Sequence, residues 1–109
     1  MVNLILKNLK EVEDVFHAEI EEICKEREAY YNELFKKYDK DLAFEVIFNK
    51  SSALYKVSAS LDLKSKKILV AEEDKNPVKA LNKVLSSLKK AVKKQYELER
   101  KDYVYKRKR

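Results

Sequence analysis

Few residues in this chain have the types and spacing that chemistry requires. One histidine, His17, and one cysteine, Cys24, stand alone among 109 residues. Glu13 and His17 are four apart, which sets two metal ligands on one helical face, but a zinc site needs further ligands that the pattern does not supply. His17 therefore reads as a hydrogen-bonded surface histidine, and no metal is expected. Cys24 falls on an apolar stripe and reads as a small core residue rather than a nucleophile. A single cysteine also excludes an internal disulfide framework and suggests a reducing compartment. Glu21 and Glu22 are adjacent, so on a helix they diverge by about 100° and cannot share an acid–base site. No serine stands in a recognisable order with the histidine. Glycine is absent altogether. Phosphate loops of the Walker and dinucleotide types need it where backbone approaches phosphate, and a KH module needs it in its clamp. No enzymatic activity, cofactor or small-molecule substrate is expected.

What remains is charge. Lys and Arg number 25 against 19 Asp and Glu, a net of +6, and the pI is about 9.3. The excess is uneven: residues 1–50 carry 8 basic and 12 acidic residues, whereas residues 51–109 carry 17 and 7. A polyanionic partner is favoured, and its surface belongs to the second half.

The elements that must position this charge follow from periodicity. Val2 to Leu6 reads as a short strand, with Asn8 as N-cap of the helix after it. From about Lys10 to Tyr38, Val12, Val15, Phe16, Ile20, Ile23, Cys24, Tyr31, Leu34, Phe35 and Tyr38 recur in steps of three and four, one continuous helical stripe. In the doublet Tyr30-Tyr31, one ring is expected in the core and the other at its rim. The period then becomes two. Leu42 to Phe48 makes a strand, and Tyr55, Val57, Ala59, Leu61 and Leu63 alternate with polar residues in the clearest strand of the chain. Lys64-Ser65-Lys66 turns into a third, Lys67 to Ala71. Asn76-Pro77 opens the last helix as N-cap and first helical residue, with acidic Glu72, Glu73 and Asp74 just before it. Val78, Leu81, Leu85, Leu88 and Val92 form its core stripe, to about Lys101. The expected class is α+β in the order β-α-β-β-β-α: a four-stranded, mainly antiparallel sheet with two long helices on one face. Residues 1–101 form one domain, and 102–109 a basic C-terminal tail.

On the last helix, Lys79, Lys83, Lys90, Lys94 and Lys101 fall opposite the apolar stripe, at spacings of four and seven. Those steps are about 6 and 10 Å along the axis, the order of the distances between phosphates on a nucleic-acid strand. No acid lies between Lys75 and Lys94 to offset their repulsion. Lys89 and Lys93 widen the charge on one flank. Lysine in place of arginine points to phosphate contacts, not base-edge reading. In the tail, Tyr103 and Tyr105 beside Lys106, Arg107, Lys108 and Arg109 suit stacking on unpaired bases.

From Tyr55 to about Lys101 the chain resembles the ribosome hibernation-promoting factor and ribosome-associated inhibitor family. The segments that carry the likeness are Val57-Ser58-Ala59-Ser60-Leu61, Ile68-Leu69-Val70-Ala71-Glu72-Glu73 and Ala80-Leu81. Basic positions of the family's run on the last helix match at Lys90 and Lys94. It departs at Ser87 and Ala91, has Asn76 where an Asp is usual and Val78 where an aromatic is, and its first helix is unusually acidic. The resemblance implies binding to small-subunit rRNA in the mRNA and tRNA cleft, holding ribosomes inactive under stress, with no chemistry performed. Two other readings stand beside it: a double-stranded RNA binder, and a helical protein-interaction module suggested by the acidic first helix. No apolar run nears the roughly 18 residues of a membrane span. Met1 to Lys7 lacks the apolar core and cleavage site of a secretory signal, so a cytoplasmic protein with no membrane partner is expected.

Overall fold

The computed structural model describes residues 1–107, of which 102–107 are described as helix backbone alone. Strand β1 (Val2–Lys7) leads through two short 3-10 turns, Leu9–Glu11 and Asp14–Phe16, into helix α1 (His17–Leu34). Strands β2 (Leu42–Ser51), β3 (Leu54–Asp62) and β4 (Lys67–Asp74) follow, and helix α2 (Pro77–Arg107) closes the chain. The sheet order is β1-β2-β3-β4. β1 pairs parallel to β2, from Val2 opposite Leu42 to Lys7 opposite Ile47. The other two pairings are antiparallel. This is the β-α-β-β-β-α architecture that the periodicity predicts.

Alternation in the strands sends one set of side chains to the helices. Leu42, Phe44, Val46 and Phe48 of β2 and Val57, Ala59 and Leu61 of β3 are all essentially buried. They meet Ile20, Cys24 and Tyr31 from α1 and Leu81, Val84, Leu85, Leu88 and Val92 from α2. The Tyr31 ring is buried and meets Phe44 edge-on at 5.3 Å, while Tyr30 stays at the rim.

α1 ends at Leu34, short of the expected Tyr38, β2 runs past Phe48 to Ser51, and three further boundaries differ from the sequence expectation. The stripe from Lys10 to Tyr38 is not one helix: Asn8 is left-handed (φ 61°) and caps nothing with its side chain, and Val12 is extended. The extended backbone lets Val12 drop into the core, while Val15 is 78% exposed on the second turn. β-Branched Val12 and Val15 and the nearby Asp14 are poor helix formers, so tertiary packing decides the conformation. Secondly, β4 runs to Asp74, so Glu72 and Glu73 are strand residues. Thirdly, α2 continues past Lys101 to Arg107.

The two sheet edges are treated differently. Along β1, Asn32 accepts from the Val2 amide (2.7 Å) and donates to the Val2 carbonyl (3.2 Å), and Glu28 accepts from the Leu4 amide (2.6 Å). Side chains of α1 thus stand in for a neighbouring strand. Along β4, the one such contact among the described residues is from Lys83 to the Glu73 carbonyl, 3.3 Å.

Candidate nucleic-acid interface

The interface rests on how firmly α2 is held. Its N-terminus is capped as the sequence predicts. The Asn76 side-chain oxygen accepts from the amides of Val78 (2.8 Å) and Lys79 (3.1 Å), with Pro77 in the first position. Further along, the core stripe of α2 continues in polar form. Gln95 donates to the Ser65 hydroxyl at 2.8 Å, and Glu99 accepts from the amide (3.3 Å) and hydroxyl of Ser65. Tyr38 donates its hydroxyl to the other Glu99 oxygen and accepts from the Lys64 amide at 3.0 Å. Burial and that bond to Glu99 push the Tyr38 phenol up to about 12. Phe35 and Tyr38 pack on Tyr96, with ring centroids 4.7 and 5.8 Å apart. The helix is clamped at its start by its cap and further along by this cluster.

On the face turned away from the sheet, Lys79, Lys90, Lys93, Lys94 and Lys101 are exposed. Among the described residues, no carboxylate lies within ion-pair distance of Lys79, Lys90, Lys93 or Lys94. Lys79 to Lys94 is about 22 Å along the axis. Two predicted members behave differently. Lys83 bends back to the sheet, with its ammonium 2.9 Å from the Asp74 carboxylate. The Asn76 amide, then Lys83, hold the Asp74 carboxyl below its usual range, and Asp74 in turn raises Lys83. Lys89 is half-buried, with its ammonium 4.8 Å above the Tyr30 ring on α1 and the Arg27 guanidinium 5.9 Å from the same centroid. Lys89 thus bridges the helices.

Sequence reasoning missed one member of the face. Glu97 is exposed and projects with Lys94 and Lys101, three and four positions away, so the ridge carries one negative charge near its end. Angular position alone would have found it. The predicted Tyr103, Tyr105, Lys106 and Arg107 side chains, with Lys108 and Arg109, lie outside the described residues.

The residues weighed for other chemistry are occupied structurally. The His17 ring donates from Nε2 to the Val12 carbonyl at 2.7 Å, and its Nδ1 lies 3.8 Å from Asp14. It fastens the second 3-10 turn to the start of α1. Cys24 is fully buried, and burial pushes its thiol up to about 12, away from nucleophilic chemistry. Among the described residues, no three His, Cys, Asp or Glu side chains group closely enough to hold a metal ion. None of their helices is long and apolar enough to cross a membrane.

No protein-family model and no curated protein matches the sequence. Among solved structures, the crystal structure of the Thermus thermophilus Protein Y N-terminal domain superposes with a TM-score of 0.58 at 19% identity. The match covers 85% of this chain and 96% of that one. The chain has the fold of that domain.

Proposed function

We propose that the chain is a ribosome-binding translation inhibitor of the hibernation-promoting factor family to which Protein Y belongs. It docks on small-subunit rRNA in the mRNA and tRNA cleft and keeps ribosomes idle. The carrying observation is the exposed row Lys79, Lys90, Lys93 and Lys94, with no carboxylate within ion-pair distance among the described residues, on a helix fixed by cap and clamp. Lysines on a preformed helix bind phosphates without first ordering the backbone, so docking costs only side-chain conformational entropy. The likeness to the Protein Y domain supports the reading independently, because it extends over nearly all of that domain. Lys101 and the tail residues Tyr103, Tyr105, Lys106, Arg107, Lys108 and Arg109 extend the contact, the tyrosines by stacking on unpaired bases. Ribosomal proteins beside the rRNA are secondary partners, and the exposed acidic face of α1 (Glu19, Glu22 and Glu26) stands outside the contact. Such a partner places the chain in the cytoplasm.

Sedimentation of cell extract through a sucrose gradient tests this. The chain should travel with small subunits or whole ribosomes at low salt and be released as salt rises. A chain that stays at the top of the gradient at every salt concentration overturns the proposal.

A further inference from the structure

β4 is an open edge with a charge pattern of its own. The Leu63 amide donates to the Lys66 carbonyl at 3.1 Å, so Lys66 directs its backbone groups toward β3. Successive strand residues point these groups to opposite sides. Lys67, Leu69, Ala71 and Glu73 therefore direct theirs outward, away from the sheet. The side chains of the same four residues lie on the face that no helix covers, since their neighbours Ile68 and Val70 pack toward the core. Leu69 is 65% exposed, the most exposed leucine among the described residues. Charge divides along the edge. Lys66, Lys67 and Lys94 crowd one end with Leu69 and Leu98 between them, and Glu72 and Glu73 mark the other, while β3 sets Asp62 beside Lys67 and Lys56 beside Glu73.

A purely acidic or purely basic strand would be repelled at one end of such an edge. The strand that complements it carries the same charges in reverse order, and an antiparallel copy of β4 does so. We infer that β4 pairs with β4 of a second copy of this chain, joining two sheets into one across a two-fold axis at Val70. In this register Lys67 meets Glu73 of the other copy and Leu69 meets Ala71, each pair formed twice by symmetry. All four residues with outward backbone groups are then hydrogen-bonded pairs, the Glu73 carbonyl taking the partner's Lys67 amide in place of the 3.3 Å contact from Lys83, and the two Val70 residues face each other as a non-hydrogen-bonded pair on the helix side. The partner's Glu72 arrives at the end where Lys94 stands. Both lysine ridges end on one face of the joined sheet, but the pairing depends on no property of the ligand they bind. One strand pair buries less than a standard interface, so the dimer is expected at roughly tens of micromolar.

Sedimentation velocity of the full chain from about 10 to about 500 µM should show a monomer–dimer shift centred in that range. Lys67→Glu, at an exposed position, should abolish the shift, and Lys67→Glu combined with Glu73→Lys should restore it. Circular dichroism checks that each variant is folded. Val70→Cys should form a disulfide-linked dimer on mild oxidation, because non-hydrogen-bonded pairs place Cα atoms about 4.5 Å apart, within disulfide range. The native Cys24 is fully buried and stays out of that reaction. A monomer across the whole concentration range overturns the inference. So does a dimer indifferent to Lys67→Glu, or a double variant that stays monomeric.

Discussion

The phenolic hydroxyl of Tyr38, in the segment after α1, donates to the carboxylate of Glu99 on α2, 61 positions later in the chain. Through the other Glu99 oxygen the same carboxylate grips Ser65 in the β3–β4 turn. Three separate pieces of chain thereby meet at one side chain, and the lysine-bearing helix is set in orientation as well as in place. Tyr38→Phe should cost about 1.5–3 kcal/mol, the range for losing a hydrogen bond to a charged group. The pH dependence carries a sign. The folded phenol titrates near 12, above its unfolded value, so the stabilisation is complete below the unfolded value of about 10. It is lost as pH rises through the folded one. Denaturant melts of the wild type and Tyr38→Phe should converge at high pH.

Tyr31 provides the contrast. Its hydroxyl is buried and makes no well-formed hydrogen bond among the described residues, and burial pushes its ionisation upward against the pull of the nearby Arg27 guanidinium. Removing an unpartnered buried hydroxyl gives back its desolvation cost. Tyr31→Phe should be neutral or stabilising by up to about 1 kcal/mol, read as the midpoint of a urea melt. A loss as large as that of Tyr38→Phe would show that the hydroxyl has a partner.

Replacing both Lys90 and Lys94 with Glu should weaken ribosome binding on the order of 100-fold and lower the salt slope by about two. Charge reversal at Glu19 and Glu22 should matter little. Equal losses from the two double variants, measured by co-sedimentation, would mean that α2 is not the contact face.

Lys83 belongs to the ridge by spacing but to the sheet by contact, so Lys83→Gln should reduce binding less than Lys90→Gln. Its partner Asp74 has an acid signature. Because the folded carboxyl titrates below its unfolded value, its stabilisation is present above about pH 4 and disappears as pH falls further. Asp74→Asn should therefore flatten the acid limb of the stability curve, measured by thermal melts below neutral pH.

The β2–β3 turn places Ser52 in the left-handed region, φ 54°, in a chain with no glycine to take the position. Ser52→Gly should raise stability by about 0.5–1 kcal/mol, because a side chain there costs more than the added freedom of the unfolded chain. An unchanged or lower melting temperature would contradict this.

Element order and core were legible because each strand alternates cleanly and the α2 stripe is unbroken from Val78 to Val92. Asn76-Pro77 marked its cap, and the hydrogen bonds to Val78 and Lys79 follow that signature. The start of α1 was not legible. Val12 and Val15 keep helical spacing, yet Val12 is drawn to the core from an extended backbone, a decision made by packing between distant segments. The split among the lysines was hidden for the same reason. Nothing local says that Lys83 will find Asp74 across a turn, or that Lys89 will find Tyr30 on another helix. The Glu99 clamp was missed because a glutamate within an apolar stripe reads as its end.

The parallel pairing of β1 with β2 bears on the order in which the molecule assembles. β3, β4 and α2 each dock on the element before them, and the β2–β3 turn spans only Ser52 and Ala53. Aligning Val2 with Leu42 instead closes a loop of about 40 residues, with an entropic penalty that contact between neighbours avoids. The C-terminal three strands and their helix are therefore expected to form the folding nucleus. The first strand, already held against α1 through Asn32 and Glu28, arrives afterwards as part of a two-element flap.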